Sequence, residues 1–382
     1  MLSNQKDLFE LNPESIFLNC AYMSPQLKTM TAIGIDQLVK KQTPDMYGVG
    51  DFFEPRENLK AAFAKLIEAP NSKGIAIIPS VSYGMASVAR NIELYENEEI
   101  LVVESQFPSH IYAWQNLADT NGGKLRVIDA PILKEGRAKV WNASILSAIN
   151  ERTKVVAIPQ VHWADGTLYD LETIREKSNQ VGAKLIIDGT QSVGAMPFSI
   201  EKIQPDALIC AGYKWLMGPY GMGVAYFAES FWDGLPIEFN WMNRFNSQDF
   251  KNLTNYQPAY KEGAEKYSAG GSSNFIHTHM LTEGLRQVME WGPENIQEYC
   301  KDLVDEGITR LRERGCFVEG EGGRGNHLFG IYIHEGMNYE AIRSRLQEAK
   351  INVSFRGNAI RVSPHLYNEK EDFDRFVGCV VS

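Results

Sequence analysis

The chain has 382 residues, 44% of them hydrophobic and 23% charged, with a formal net charge of −10 at pH 7. This is ordinary globular composition, long enough for a large core and for two domains. The excess of acids argues against nucleic acid or an anionic membrane surface as partner, because phosphates need surplus Lys and Arg. No apolar run reaches the roughly 20 residues that span a bilayer.

The opening stretch "MLSNQKDLFELNPESIF" sets acids among its apolar residues and lacks a signal-peptide core, so a cytoplasmic location is expected. Cys20, Cys210, Cys300, Cys316 and Cys379 show no CxxC spacing, and an odd number cannot all pair within the chain; reduced thiols fit.

From about residue 55 the pattern alternates. "ENLKAAFAKLIEA" has helical periodicity, "GIAIIPS" reads as a strand, "YGMASVARNI" as a helix, "ILVVES" as a strand, "HIYAWQNLAD" as a helix and "KLRVIDA" as a strand. "VVAIPQ" is a strand, "LETIREKSNQVG" a helix closed by Gly182, and "AKLIID", "PDALICAG" and "GMGVAYF" are strands. Apolar runs without period-2 alternation, separated by helices, predict a mainly parallel sheet covered on both faces.

Beyond about residue 260 the texture changes. A long helical stretch broken near Gly292-Pro293 precedes the strand candidates "CFVEGEG", "LFGIYIHE", "INVSF" and "AIRVSP" and the helices "NYEAIRSRLQEAK" and "EKEDFDRFVGCV". This predicts a smaller α+β unit, with no linker at its boundary. Two features are set aside. "GEGGRG" (Gly320 to Gly325) matches GxGxxG but leads into a strand, whereas a dinucleotide fingerprint opens a helix. His277 and His279 in "IHTH" could share one face of an extended strand, but a zinc site wants three or four ligands and no third is near.

In open α/β sheets ligands bind beyond the carboxyl ends of the strands. Ser80, Val81 and Ser82 stand there at a helix start, either as an anion site or as a simple N-cap. Phe107 follows the next strand, and by itself reads as core. His162 and Trp163 follow another. Asp188 ends "KLIID", with Gln191 three residues on, and Lys214 follows "LICAGY". A lysine, an aspartate and a helix-terminal anion site suit pyridoxal phosphate: the lysine for its aldehyde, the acid for its ring nitrogen, the N–H groups for its phosphate. A structural Lys–Asp ion pair would suit the same two residues.

The segment "IIDGTQSVGAMPFSI…PDALICAGYKWLMGPYGMGVAYF" resembles the class V aminotransferase branch of fold-type I pyridoxal-phosphate enzymes, which includes cysteine desulfurases, kynureninases and isopenicillin-N-epimerase-like proteins. The resemblance runs from "FLNCAYMSP" to "AIRVSPHLYN". It implies a large domain with a mainly parallel seven-stranded sheet (21–260), a smaller α+β C-terminal domain (261–382), and an N-terminal segment (1–20) packing with the latter. It implies Lys214 as Schiff-base lysine and base, Asp188 on the pyridinium nitrogen, Gln191 on the phenolic oxygen, and Val81 and Ser82 on the phosphate.

Tyr213 before the lysine and "SQFPSHIY" resemble kynureninases, which implies a Tyr213 hydroxyl near the phosphate and Phe107 stacked on the cofactor. "HW" stands where desulfurases have "SN", placing His162 beside the cofactor without a defined role. Gly271, Ser272 and Asn274 lie in a segment that, in the family, reaches the neighbouring subunit's phosphate, implying a homodimer. Arg361 occupies the position that binds a substrate α-carboxylate, with Arg356 a second candidate and Tyr22 at the entrance. Transamination of an amino acid is the expected reaction. A kynureninase-like Cβ–Cγ lyase, an epimerase, and more remotely a non-catalytic α/β binding protein are the alternatives. Desulfuration is not expected, because no cysteine lies in "INVSFRGNAI" shortly before Arg361.

Overall fold

The computed structural model describes residues 2–382. Its centre is a seven-stranded sheet built from β1 (Ile75–Ile78), β2 (Glu99–Val103), β3 (Lys124–Ile128), β4 (Thr153–Pro159), β5 (Lys184–Asp188), β6 (Ala207–Ala211) and β7 (Gly223–Phe227). The spatial order is β1-β7-β6-β5-β4-β2-β3. Only β7 runs antiparallel to its neighbours. Each expected strand of this sheet is present. Alternate residues face opposite layers: Leu101, Val156, Leu185, Ile187 and Leu208 join one apolar cluster, and Ile100, Val155, Ile186 and Ile209 the other. Both faces are dry, so no strand needs a polar side, which is why the runs are uniformly apolar.

Local chemistry sets the helix ends. Asp170 caps the helix Leu171–Val181 by accepting from the Thr173 N–H at 3.1 Å, and Gly182 closes it in the left-handed region at φ 72°. Gly292 separates the helices His277–Trp291 and Pro293–Glu313, with Pro293 at the first helical position where its missing N–H costs nothing.

A three-stranded antiparallel sheet of Ser354–Arg356, Ala359–Val362 and Phe329–Tyr332 forms the C-terminal unit, packed on the helices Pro293–Glu313 and Lys370–Val381 through Phe329, Ile331, Ile360, Phe373 and Val377. Ile16–Phe17 pairs in parallel with Ile351–Asn352, tying the first residues to this unit.

Two readings of the sequence need correction. "CFVEGEG" is not a strand: Phe317 alone bridges to Tyr332, and the chain then turns through Gly320–Gly323. "IHTH" is not extended: His277 begins a helix, because the Asn274 side chain accepts from the N–H groups of Ile276 and His277. Histidines two apart on a helix point to different faces. Among the described residues no group of three metal-ligating side chains forms. A helix at Lys28–Lys40 also precedes the first element assigned from sequence. "GEGGRG" is a loop, as expected. No described helix is long and apolar enough to cross a membrane.

One buried ion cluster fixes the helix Val49–Leu66 to the short 3-10 segment Gly263–Tyr267, which packs against β1. Arg56, fully buried, donates to one carboxylate oxygen of Glu265, and Lys60 Nζ donates to the other at 2.8 Å. Burial pushes the Glu265 carboxyl up, but Arg56 and Lys60 outweigh it and hold the group below the usual range. Replacing Glu265 by Gln leaves the buried Arg56 without a counter-charge and Lys60 with Glu57 alone. A destabilisation of about 3–5 kcal/mol is expected, read as a fall in the urea midpoint at unchanged m-value.

Candidate active site

The carboxyl ends of β4, β5 and β6 converge on one cavity. Asp188 is the last residue of β5 and pairs across to Ile209 of β6. β6 ends at Ala211, and the chain leaves it through Gly212 and Tyr213 to Lys214. The loop then folds back: Gly212 N–H donates to the Met222 carbonyl at 2.9 Å, and Gly218 N–H to the Gly212 carbonyl at 2.8 Å. Gly221 sits at φ 88°, and a Cβ on Gly223 would lie 2.5 Å from the Cys210 carbonyl oxygen, so this return admits only glycine at both points.

The cavity measures about 190 Å³ and is lined by Ser80, Val81, Ser82, Phe107, Asp188, Gln191, Tyr213 and Lys214, together with Ser109, Trp163, Thr190 and Tyr220. Ser80 Oγ caps the helix Val81–Ala89 by accepting from Tyr83 N–H at 3.2 Å. Val81 and Ser82, the first two helical residues, whose N–H groups have no acceptor within the helix, line the cavity at the helix's positive end.

Lys214 is buried, with 7% of its surface exposed, and among the described residues no carboxylate reaches it. Its ammonium lies 5.7 Å from the Phe107 ring centre and 5.6 Å from that of Tyr213. Burial lowers its pKa to about 8, the Arg361 and Arg356 guanidiniums push in the same direction, and Asp188 opposes them. Asp188 is also buried, which would raise its pKa. His110, with Nδ1 at 3.6 Å, and Thr190, whose N–H donates at 2.9 Å, instead hold it below the usual range. Tyr213 is pushed up by burial and by Tyr220 and stays protonated.

Gln191 is locked at both ends. Its carbonyl accepts from Trp215 Nε1 at 2.9 Å and its amide donates to the Ala21 carbonyl at 3.0 Å. One amide hydrogen remains. Arg361 is 1% exposed and donates from Nη1 to the Trp163 carbonyl at 2.9 Å and from Nη2 to Ser354 Oγ at 3.3 Å. Arg356 lies over the Trp163 ring, 5.5 Å from its centre.

Of the residues singled out from sequence, Val81, Ser82, Phe107, Asp188, Gln191, Tyr213 and Lys214 meet in the cavity wall. Arg361 and Arg356 reach it across Trp163, and Tyr22, 57% exposed, lies close enough to Tyr213 to affect its ionisation. His162 is not in the wall. It is buried with Nδ1 on Asp165 at 3.0 Å and Nε2 3.3 Å from the Glu104 carbonyl, so both ring nitrogens are engaged behind the cavity. Gly271, Ser272 and Asn274 also lie outside the wall, and the Asn274 side chain is spent on the helix cap. His110 went unread in the sequence, although it lies in the same strand-end loop as Phe107.

The family model for "Aminotransferase class-V" matches residues 49–376. The chain belongs to this family. A relative described as an uncharacterized aminotransferase YcbU of Bacillus subtilis is 26% identical over 321 residues, covering 84% of this chain and 81% of that protein. Among solved structures, the apo cysteine desulfurase of Thermococcus onnurineus NA1 superposes with a TM-score of 0.82 at 21% identity, covering 99% of this chain and 97% of the other. The cystine C–S lyase C-DES in complex with cysteine persulfide gives 0.84 at 17% identity, covering 96% and 97%. At these identities the structures share the fold. The class V family uses pyridoxal phosphate, and this cavity fits it: an unpaired buried lysine, an ionised buried carboxylate and free helix N–H groups surround one space.

With a pKa of about 8, half the Lys214 amine is neutral near that pH. Cofactor-free protein treated with pyridoxal phosphate and then borohydride should be labelled at Lys214. The labelling rate should climb with pH and level off above about 8, where the amine is deprotonated. Peptide mass spectrometry checks the site, and Lys214→Ala should remain unlabelled.

Proposed function

We propose that the protein is a homodimeric pyridoxal-phosphate enzyme that transfers the amino group of an amino acid to a 2-oxo acid. The carrying observation is Lys214: a buried lysine with no ion-pair partner and a pKa lowered to about 8. When bound, pyridoxal phosphate supplies the electron sink that makes the Cα–H of an attached amino acid acidic.

Lys214 Nζ would hold the cofactor through its aldehyde and, as a neutral amine, would take the Cα proton of the substrate. Asp188, kept anionic by His110 and Thr190, holds the proton on the ring nitrogen. The Val81 and Ser82 N–H groups bind the phosphate, with the Tyr213 hydroxyl beside it. The remaining Gln191 amide hydrogen serves the phenolic oxygen, and Phe107 covers the ring. Tyr22 borders the entrance. Ser272, whose buried hydroxyl has no partner within the described residues, suits a contact to the neighbouring subunit, with Gly271 and Asn274 shaping that loop. The five unbonded cysteines suit a reducing cytoplasm.

Transamination is favoured because one base suffices for it. Lys214 can take a proton from Cα and deliver it on the same face. Epimerisation needs a base on each face, and the other lining side chains are hydroxyls, an amide, rings and the engaged Asp188.

Sulfur transfer from cysteine is disfavoured by the thiols. Cys20, Cys210 and Cys300 are fully buried, and burial raises each thiol, Cys20 to about 12, so none offers a thiolate. No cysteine lines the cavity. Arg356 pairs with Ala359, so only Gly357 and Asn358 turn the hairpin before Arg361, with no space for a cysteine-bearing loop.

The deciding experiment is a screen of amino acids with the holoenzyme, analysing products as 2-oxo acid, alanine or racemised substrate; 2-oxo acid is expected. Arg361→Leu should raise KM for the amino acid by the equivalent of about 2–5 kcal/mol while leaving cofactor attachment intact. An unchanged KM would remove Arg361 from substrate binding. Incubation with L-cysteine should add no sulfur to any cysteine at turnover rates, as mass spectrometry of the intact protein will read; a persulfide would reverse this assignment.

A further inference from the structure

The hairpin of Ser354–Arg356 and Ala359–Val362 carries two arginines on one face. Its register pairs Arg361 with Ser354 and Arg356 with Ala359. Residues two apart on a strand share a face, so Arg356 and Arg361 are diagonal neighbours on the same side. Both meet Trp163, a wall residue of the cavity: Arg361 through its carbonyl, Arg356 over its ring.

Neither guanidinium has a counter-charge. Buried Arg56, Arg137 and Arg175 each meet an acid, Glu265, Asp165 and Asp206, while buried Arg324 lies away from the cavity and bonds backbone carbonyls and Asn326. Among the described residues no carboxylate reaches Arg356 or Arg361, and the nearest acid of the cavity, Asp188, is engaged by His110 and Thr190. The Nε atoms of both arginines are buried without a hydrogen-bond partner. The hydrogen bonds they do make go to neutral groups: the carbonyls of Trp163 and Phe355 and the hydroxyl of Ser354. Two like charges held side by side with orphaned donors are stabilised only when anions arrive.

One carboxylate does not account for both. A guanidinium offers two parallel donors, and a single carboxylate is matched by one such fork. Arg361 is anchored from both Nη atoms and sits at the buried end of the hairpin face, whereas Arg356 is half-buried at the turn, toward solvent. The pair therefore presents one inner and one outer anion position.

We infer that the substrate is an acidic amino acid or its dicarboxylic 2-oxo acid, with the α-carboxylate on Arg361 and the distal carboxylate on Arg356. This rests on the reading of the cavity as a pyridoxal-phosphate site for amino acids. The Trp163 ring, edge to face with Phe107 at 5.3 Å, borders the same space and would cover the carbon chain between the two charges.

The test compares glutarate with valerate, a dicarboxylate and a monocarboxylate of equal chain length, titrated calorimetrically into the holoenzyme. Glutarate should bind about tenfold or more tightly, the gain of one charged fork. Arg356→Gln should abolish that preference and leave valerate affinity as it was, with cofactor absorbance and thermal midpoint confirming an intact fold. Equal affinities in the unmodified enzyme, or no glutarate binding at millimolar concentration, would overturn the inference. So would an equal loss for both ligands in Arg356→Gln, which would place both guanidiniums on one carboxylate. Labelling of Lys214 by the cofactor reads the underlying assignment separately: labelling without dicarboxylate preference sinks only the substrate class.

Discussion

A lysine and an aspartate share a buried cavity here without neutralising each other, and the rest of the site follows from that separation. Neighbouring parallel strands lie about 4.8 Å apart, so Asp188 at the end of β5 and the chain leaving β6 toward Lys214 are forced close. Left alone, the two would pair, the ammonium would be pinned and its pKa would rise. Instead Asp188 is claimed by Thr190 and His110. On the other flank the guanidiniums of Arg361 and Arg356 make a second positive charge unwelcome. The lysine is thus kept available as an amine by the combined action of β5, the loop after β2 and the C-terminal hairpin.

That arrangement relies on a second layer of contacts joining parts distant in sequence. Trp215 holds the Gln191 side chain, Gln191 holds Ala21, and His327 Nε2 lies 2.7 Å from the Gln191 backbone carbonyl while its other nitrogen meets Gln297. On the opposite side Arg137 and His162 converge on Asp165, which also accepts from Tyr332 of the C-terminal sheet. His162 is therefore a strut: it fixes the turn that presents the Trp163 carbonyl to Arg361.

Much of this was legible in the sequence because parallel strands buried on both faces must be apolar runs. Any charged residue at such a run's end is then conspicuous, as with Asp188 and Lys214. Other features depend on side-chain direction, which periodicity does not carry. Nothing in "SQFPSH" says that His110 turns inward to Asp188 while Phe107 lines the cavity. Nothing in "VHWADG" says that His162 turns away while Trp163 turns in. The helical stretch read from Met280 begins three residues earlier, at His277, where the Asn274 side chain accepts from the His277 N–H, a contact that periodicity does not show. "CFVEGEG" looked like a strand by composition, yet its glycines allow the turn that ends pairing after Phe317.

The short parallel pairing of Ile16–Phe17 with Ile351–Asn352 carries a consequence for biosynthesis. Leu18 N–H donates to the Asn352 carbonyl, and the Asn352 side-chain amide to the Ile16 carbonyl across a sequence separation of 336 residues. A ribosome emits roughly 5–20 residues per second, so the early segment waits many seconds with its partner unmade. Throughout that wait the segment bearing Tyr22, and the Ala21 carbonyl that steadies Gln191, cannot be seated against the C-terminal unit. The central sheet can form before that unit has emerged; the complete cavity wall waits for it.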